Sequence, residues 1–242
     1  MNKSLETWAA THVGLIRTTN EDRFGLPDWK SDGNEASWHG VIARDGGWAV
    51  VADGMGGHGA GGVASDVVVD VLSSQLPRIR SDADVTAAIQ LANEKVHEAM
   101  FSERGRPGMG STVVGLRACG ENFEIFNVGD SRAYLFRNNQ LRRLSVDHTP
   151  EGATNQKFRS HALTQSMGGT LSRVDLVPHL ESISIRSGDQ FLLCSDGVTD
   201  LISEDDIIRL LSEGSHDPTL KLVDAALTAG GRDNITAILI KA

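Results

Sequence analysis

Ala49-Val50-Val51-Ala52 runs as an apolar strand into Asp53-Gly54, and the glycine-rich segment GMGGHGAGG (Gly54–Gly62) follows at once. A short apolar run bounded by Gly and Asp reads as a strand with a turn at its end. The same figure recurs along the chain. Phe126-Asn127-Val128-Gly129 runs into Asp130, and Phe191-Leu192-Leu193-Cys194-Ser195 runs into Asp196-Gly197. Arg232-Asp233-Asn234 opens the apolar run Ile235–Ile240, and the pair Glu21-Asp22 precedes a further short segment. After a single strand, Asp-Gly is a turn signal and no more. Repeated at several strand ends, it has a second reading. Strands of one sandwich can bring their ends to a common rim, where gathered carboxylates repel unless cations neutralise them. Carboxylates, carbonyls and water are hard ligands that select Mg2+ or Mn2+ over zinc. Such a cluster could hold two ions about 3.5–4 Å apart, able to make hydroxide and clamp a phosphoryl group.

Working outward, further strands are expected at Trp38–Ala43, Ser111–Ala118, Phe123–Val128, Ala133–Arg137, Leu176–Ile185 and Gln190–Cys194. Asn122-Phe123-Glu124-Ile125 alternates in polarity, as a half-buried antiparallel strand must. Arg137-Asn138-Asn139-Gln140 and Cys119-Gly120-Glu121-Asn122 read as hairpin turns. In Asp82–Arg104, Val85, Ile89, Ala92, Val96 and Met100 fall on one helical face, and Gly62–Leu76 is similar. Ser203 with Asp206 three residues on predicts a capped helix over Glu204–Leu211. Pro218 suits the first turn of another over Asp217–Ala229. Strands in runs and helices in pairs define an α+β class: two packed antiparallel β-sheets, a β-sandwich, flanked by α-helices.

Composition narrows the field. The 242 residues carry 23 Lys+Arg against 32 Asp+Glu, a formal charge of -9. That balance argues against holding nucleic acid or anionic membrane by electrostatics. No apolar run approaches the roughly 20 residues that span a bilayer, and no signal-peptide stretch opens the chain. A cytoplasmic protein with no membrane span is expected. Neither Cys119 nor Cys194 has a nearby Cys or His at zinc spacing, so buried reduced thiols are the reading. With no repeat and no linker, one domain over 1–242 is the simplest organisation. No coiled-coil heptad is visible, and a monomer is expected.

The glycine-rich segment lacks Gly-Lys-Ser/Thr and is not a P-loop. Beside an acidic ligand, its glycines would let backbone approach an ion or phosphate, or would simply make a tight turn. Arg17 reads as a bidentate phosphate contact or a solvated charge. His58 reads as a proton donor to a leaving oxygen or as a surface group. The other histidines form no metal spacing.

Six motifs in order, RTTNED (Arg17–Asp22), VADGMGGHGAGGVAS (Val51–Ser65), GSTVVG (Gly110–Gly115), NVGDSRAYL (Asn127–Leu135), LLCSDGVTD (Leu192–Asp200) and GRDNITAILI (Gly231–Ile240), resemble the metal-dependent Ser/Thr protein phosphatases of the PPM class, protein phosphatase 2C, in their single-domain bacterial form. The resemblance covers nearly the whole chain. It implies a protein phosphatase 2C-like sandwich with a two-ion Mg2+ or Mn2+ centre in a cleft at one rim. Asp53 would bridge the ions and the Gly54 carbonyl would bind one of them. Asp196 and Asp233 would hold the first ion, with Asn234 supporting Asp233. Glu21 or Asp22 would serve the second ion, while Asp130 and Asp200 match a weaker third site. Arg17 would grip the substrate phosphate, and hydroxide between the ions would attack phosphorus directly. His58 would pass a proton to the departing serine or threonine oxygen.

This sequence departs from the family in two places. Met55-Gly56-Gly57 separates His58 from Asp53-Gly54, unlike the animal relatives. The flap segment, about 147–162, is short, and Gln165 stands where Arg is common. The implied partners are phosphorylated proteins and a cognate Ser/Thr kinase. A catalytically silent module of the same fold and a two-metal hydrolase of small phosphoesters are the alternatives.

Overall fold

The computed structural model describes residues 4–56, 59–150 and 162–242. In chain order the first strands are β1 (Ser4–His12), β2 (Arg23–Leu26), β3 (Trp29–Lys30), β4 (Glu35–Ala43), β5 (Trp48–Ala52) and the two-residue β6 (Gly54–Met55). Helices α1 (Ala60–Gln75) and α2 (Asp82–Ala99) follow. Next come β7 (Gly110–Ser111), β8 (Val113–Cys119), β9 (Asn122–Val128), β10 (Arg132–Arg137) and β11 (Gln140–Arg143). The remainder runs through β12 (Met167–Gly168), β13 (His179–Ser184) and β14 (Gln190–Cys194). It then forms a short α3 (Asp196–Thr199), α4 (Glu204–Ser212), α5 (Pro218–Thr228) and β15 (Ile235–Lys241).

Two six-stranded antiparallel sheets, β11-β10-β14-β15-β1-β4 and β13-β9-β8-β5-β2-β3, make the expected sandwich. Leu5, Val51, Val114, Leu116, Leu193 and Ile238 belong to the apolar cluster between them. Helices α1 and α2 cover the outside of the second sheet, setting Val68, Leu72, Ile89 and Val96 on Val50 and Phe126. Helices α4 and α5 cover the first, with Leu211, Leu222 and Ala226 on Leu192 and Leu239. Central β5 is therefore buried at every residue, whereas edge strand β4 alternates exposed and half-buried positions along most of its length. No helix of the described residues is long and apolar enough to cross a membrane.

Several expected boundaries move, each for a local reason. The run Ser111–Ala118 divides at Thr112, because Gly110-Ser111 leaves the sandwich to pair with Gly54-Met55. The run Leu176–Ile185 becomes strand only at His179. Before that, the Leu176 amide and carbonyl bond the Gln90 side chain, and the Val177 amide and carbonyl bond Gln165. Helix α2 stops at Ala99, short of Arg104, as Gly105 turns back so tightly on the Ala99 carbonyl that a Cβ would not fit. Helix α1 starts two residues early, entered through Gly59 at φ 81°. Both hairpins form as expected, with Asn138 and Asn139 at φ 52° and 59°. Ser203 caps α4 as expected, accepting from the Asp206 amide, and Pro218 opens α5 as expected, with Asp217 just before it accepting from the Thr219 and Leu220 amides. Cys194 is buried but Cys119 is exposed, which corrects the expectation of two buried thiols. Cys119 ends β8 at the hairpin, beyond the cover of α1 and α2.

Candidate active site

The loop between β1 and β2 is fixed before any acidic side chain enters the cleft. Asn234 donates through Nδ2 to the Val13 and Thr19 carbonyls (2.8 and 3.1 Å), and its Oδ1 accepts from the Glu21 amide at 2.7 Å. The Ser65 hydroxyl of α1 donates to the Glu21 carbonyl at 2.5 Å. Arg23 donates to the Asn20 and Asp22 carbonyls and pairs with Asp66 of α1. Asn234 thus braces Glu21, and it reaches Asp233 only through its own backbone N–H, 2.9 Å from Asp233 Oδ1. The expected support of Asp233 by Asn234 is accordingly a backbone contact, since the side chain is spent on the loop.

Strand ends then deliver the carboxylates. Asp53 leaves β5 with its amide on Thr112 Oγ1 (3.2 Å) and its carbonyl accepting from the Thr112 amide (2.9 Å). Thr112 shares a 2.7 Å hydroxyl contact with Ser131, beside Asp130. Asp196 follows β14 and Asp233 precedes β15. Glu21, Asp53, Asp130, Asp196 and Asp233 line one cleft of about 360 Å³, together with the Gly54 backbone, Arg17, Thr18 and Thr19. Asp22 lies behind this wall, buried. Its Oδ2 accepts from the Ser195 and Thr236 hydroxyls, each at 2.7 Å. Thr11 and Asn20 extend that chain of hydroxyl and amide donors. Asp200 does not line the cleft. It closes α3 through its amide on the Asp196 carbonyl, near enough to Asp130 to raise that group's pKa. His58 and most of the flap lie outside the described residues.

Burial and crowding dominate the electrostatics. Burial, then the charges of Asp22, Asp196, Asp130 and Asp233, hold the Asp53 carboxyl well above the usual carboxylate range. Burial pushes Asp130 up to about 7, with Asp196 adding to it. Asp22 also rises to about 7 through burial, although the Thr236 and Ser195 hydroxyls work against the shift. Buried Glu21 Oε1 has no hydrogen-bond partner. A buried polar oxygen without a partner is costly. Arg17 Nη2 meets Asp233 Oδ2 at 2.7 Å, and that carboxylate raises the guanidinium pKa further. No three His, Cys, Asp or Glu side chains among the described residues close a metal cage by themselves. The carboxylates face an open cleft, which suits hard ions that complete their shells with water. An all-oxygen donor set, mutual repulsion and an orphaned Glu21 oxygen fit Mg2+ or Mn2+.

Thr112, Ser131, Ser195 and Thr236 are the residues that strand-end reasoning overlooks. Ser131 and Ser195 carry a local signal, a hydroxyl residue beside an acidic one just past an apolar strand, whereas Thr112 and Thr236 have no acidic residue within two positions and no such signal.

Cys194 has no place in this cleft. Burial pushes its thiol up to about 12, beyond the range of a useful nucleophile. A thiol reagent should therefore label one cysteine, Cys119, in the folded protein and two after denaturation, with turnover unchanged by the first label. Loss of turnover on labelling the folded protein would contradict this.

The family model of protein phosphatase 2C matches residues 33–229. That span holds Asp53, Asp130, Asp196 and Asp200. The chain is 32% identical over 204 residues to the serine/threonine protein phosphatase PstP of Mycobacterium tuberculosis, covering 78% of this chain and 39% of that protein. It therefore spans well under half the length of that relative. It is 32% identical over 256 residues to the serine/threonine phosphatase stp of Listeria welshimeri, covering 96% of this chain and 93% of the relative. A crystal structure of the catalytic domain of PstP in complex with two manganese ions has a TM-score of 0.78 at 28% identity, covering 98% of each chain.

Proposed function

The chain belongs to the protein phosphatase 2C family, and we propose that it hydrolyses phosphoserine and phosphothreonine in proteins with divalent ions held in its acidic cleft. The observation that carries this reading is the convergence of Glu21, Asp53, Asp130, Asp196 and Asp233 on one cleft beside Arg17. Two Mg2+ or Mn2+ ions, when bound, would neutralise these carboxylates and make a water acidic enough to ionise near neutral pH. Asp53 would bridge the pair, the Gly54 carbonyl would join one ion, and Asp196 and Asp233 would hold the first. Glu21 would serve the second, since Asp22 already accepts two hydroxyl hydrogen bonds behind the wall. Asp130 and Asp200 would make a weaker third site. The partners are phosphorylated proteins and the Ser/Thr kinase that modifies them.

Arg17 supplies the organic half of the phosphate grip. Its guanidinium, now on Asp233, would turn its fork to two phosphoryl oxygens and stabilise charge there as water attacks phosphorus in line. Arg17→Ala should lower kcat/KM on a phosphothreonine peptide by roughly 10- to 100-fold, with Arg17→Lys in between because it keeps charge but not the fork. The same assay compares substrates. Wild type with Mn2+ should favour phosphopeptides over nucleotides. Faster turnover of nucleotides would assign the cleft to small phosphoesters, and no release from any ester would leave a binding module.

A further inference from the structure

Two large apolar side chains stand in solvent directly before Arg17, the first residue of the loop to line the cleft. Leu15 is 63% exposed and Ile16 is 70% exposed, and they immediately precede Arg17. Single exposed apolar residues are ordinary on a protein surface. This adjacent pair is different because its loop is held firmly. Gly14, at φ 84°, lies so close to the Asp233 carbonyl that no side chain fits there. The Leu15 amide donates to the Gly231 carbonyl at 2.7 Å. Asn234 ties Val13 and Thr19, on either side of the exposed pair. The Leu15 side chain rests over Gly231, beside Leu227, so these three form a shallow apolar shelf, which exposed Ile16 extends along the chain toward Arg17. Thr18 and Thr19, on the far side of Arg17, line the cleft itself. The loop therefore passes directly from an apolar shelf into the acidic site.

We propose that Leu15 and Ile16 form a specificity shelf that receives an apolar side chain of the substrate polypeptide within two residues of its phosphorylated serine or threonine. This rests on the phosphatase reading. Two residues of extended chain reach at most about 7 Å, so a phosphate held at Arg17 puts only the nearest flanking side chains over the shelf. Binding there loses little loop entropy because the backbone is already fixed, and each apolar contact removes surface from water. A free phosphate or a small aryl ester has no group that reaches it.

The test uses two phosphothreonine peptides, identical except that the two residues on each side of the phosphothreonine are leucine in one and serine in the other. A small aryl phosphate is the third substrate, and all are assayed with Mn2+. Wild type should favour the leucine peptide by about tenfold in kcat/KM, the scale set by one apolar side chain in a specificity pocket. In Leu15→Ser/Ile16→Ser that preference should fall to twofold or less, and the ratio of leucine-peptide to aryl-phosphate efficiency should fall with it. Leu15 also covers Gly231, so Ile16→Ser alone is the second variant and should lose about threefold of the preference. Equal use of the two peptides by wild type, or a preference that survives in both variants, overturns the shelf. Wild type that cleaves the aryl phosphate but neither peptide overturns the protein-phosphatase reading itself.

Discussion

Replacing Asp53 by asparagine is expected to lower kcat on a phosphothreonine peptide by about a thousandfold or more in saturating Mn2+. Asn matches Asp in shape, and the contacts that fix this position, Asp53 amide to Thr112 Oγ1 and Thr112 amide to Asp53 carbonyl, are backbone contacts that the substitution leaves alone. What changes is charge at the point where four other carboxylates bear on Asp53. An amide cannot bridge two cations as a carboxylate does, so the variant should lose ion affinity along with rate. Its stability should move the other way. Burial and the neighbouring carboxylates already disfavour a charged Asp53 in the metal-free protein, so the neutral amide should leave the metal-free variant melting no lower than the metal-free wild type. Thermal melts with and without Mn2+ and single-turnover rates check both halves. A variant that keeps wild-type rate would remove Asp53 from the machinery, and one that melts well below wild type would turn the rate loss into a folding effect.

The second large effect concerns backbone. Gly197 follows Asp196 at the start of α3, and a methyl there would run into the Asn234 carbonyl oxygen and press on the Asn234 carbonyl carbon. The ends of β14 and β15, which carry Asp196 and Asp233, therefore touch main chain to main chain. Gly197→Ala should cost about 3 kcal/mol of stability, because rigid backbone has to move. It should also lower the rate, because both aspartates move with it. Gly62→Ala is the contrast. A Cβ at Gly62, in the first turns of α1, meets nothing closer than 3.6 Å. Helix propensity there should stabilise by about 0.5–1 kcal/mol. Urea midpoints of the two variants decide the matter, and equal midpoints would mean that the strand ends are not in the tight contact described.

These two residues mark how far the sequence could be read. Asp53, Asp130 and Asp196 are legible because an apolar run that stops at an acidic turn announces both the strand and its end. Asp233 is legible in reverse, opening the run of β15. The separation of Glu21 from Asp22 is not, because adjacent residues point opposite ways and only packing decides which meets the cleft. Packing gives Asp22 to Ser195, just past β14, and to Thr236 on β15, two hydroxyls far from it in sequence. Strand β1 is hidden for a related reason. SLETWAATH has no clean alternation, and its extension comes from pairing on both sides, with β15 and β4. Gln90 and Gln165 show the same limit. Nothing local reveals that their amides would satisfy the backbone of residues 176 and 177 and so delay β13.

We propose that the acidic cleft hydrolyses protein phosphoesters only when divalent cations fill it. The most direct test strips wild type with EDTA, measures phosphate release from a phosphothreonine peptide, then restores Mn2+. Release that vanishes on stripping and returns with Mn2+ is the expected result. Release that continues undiminished after stripping would contradict the account.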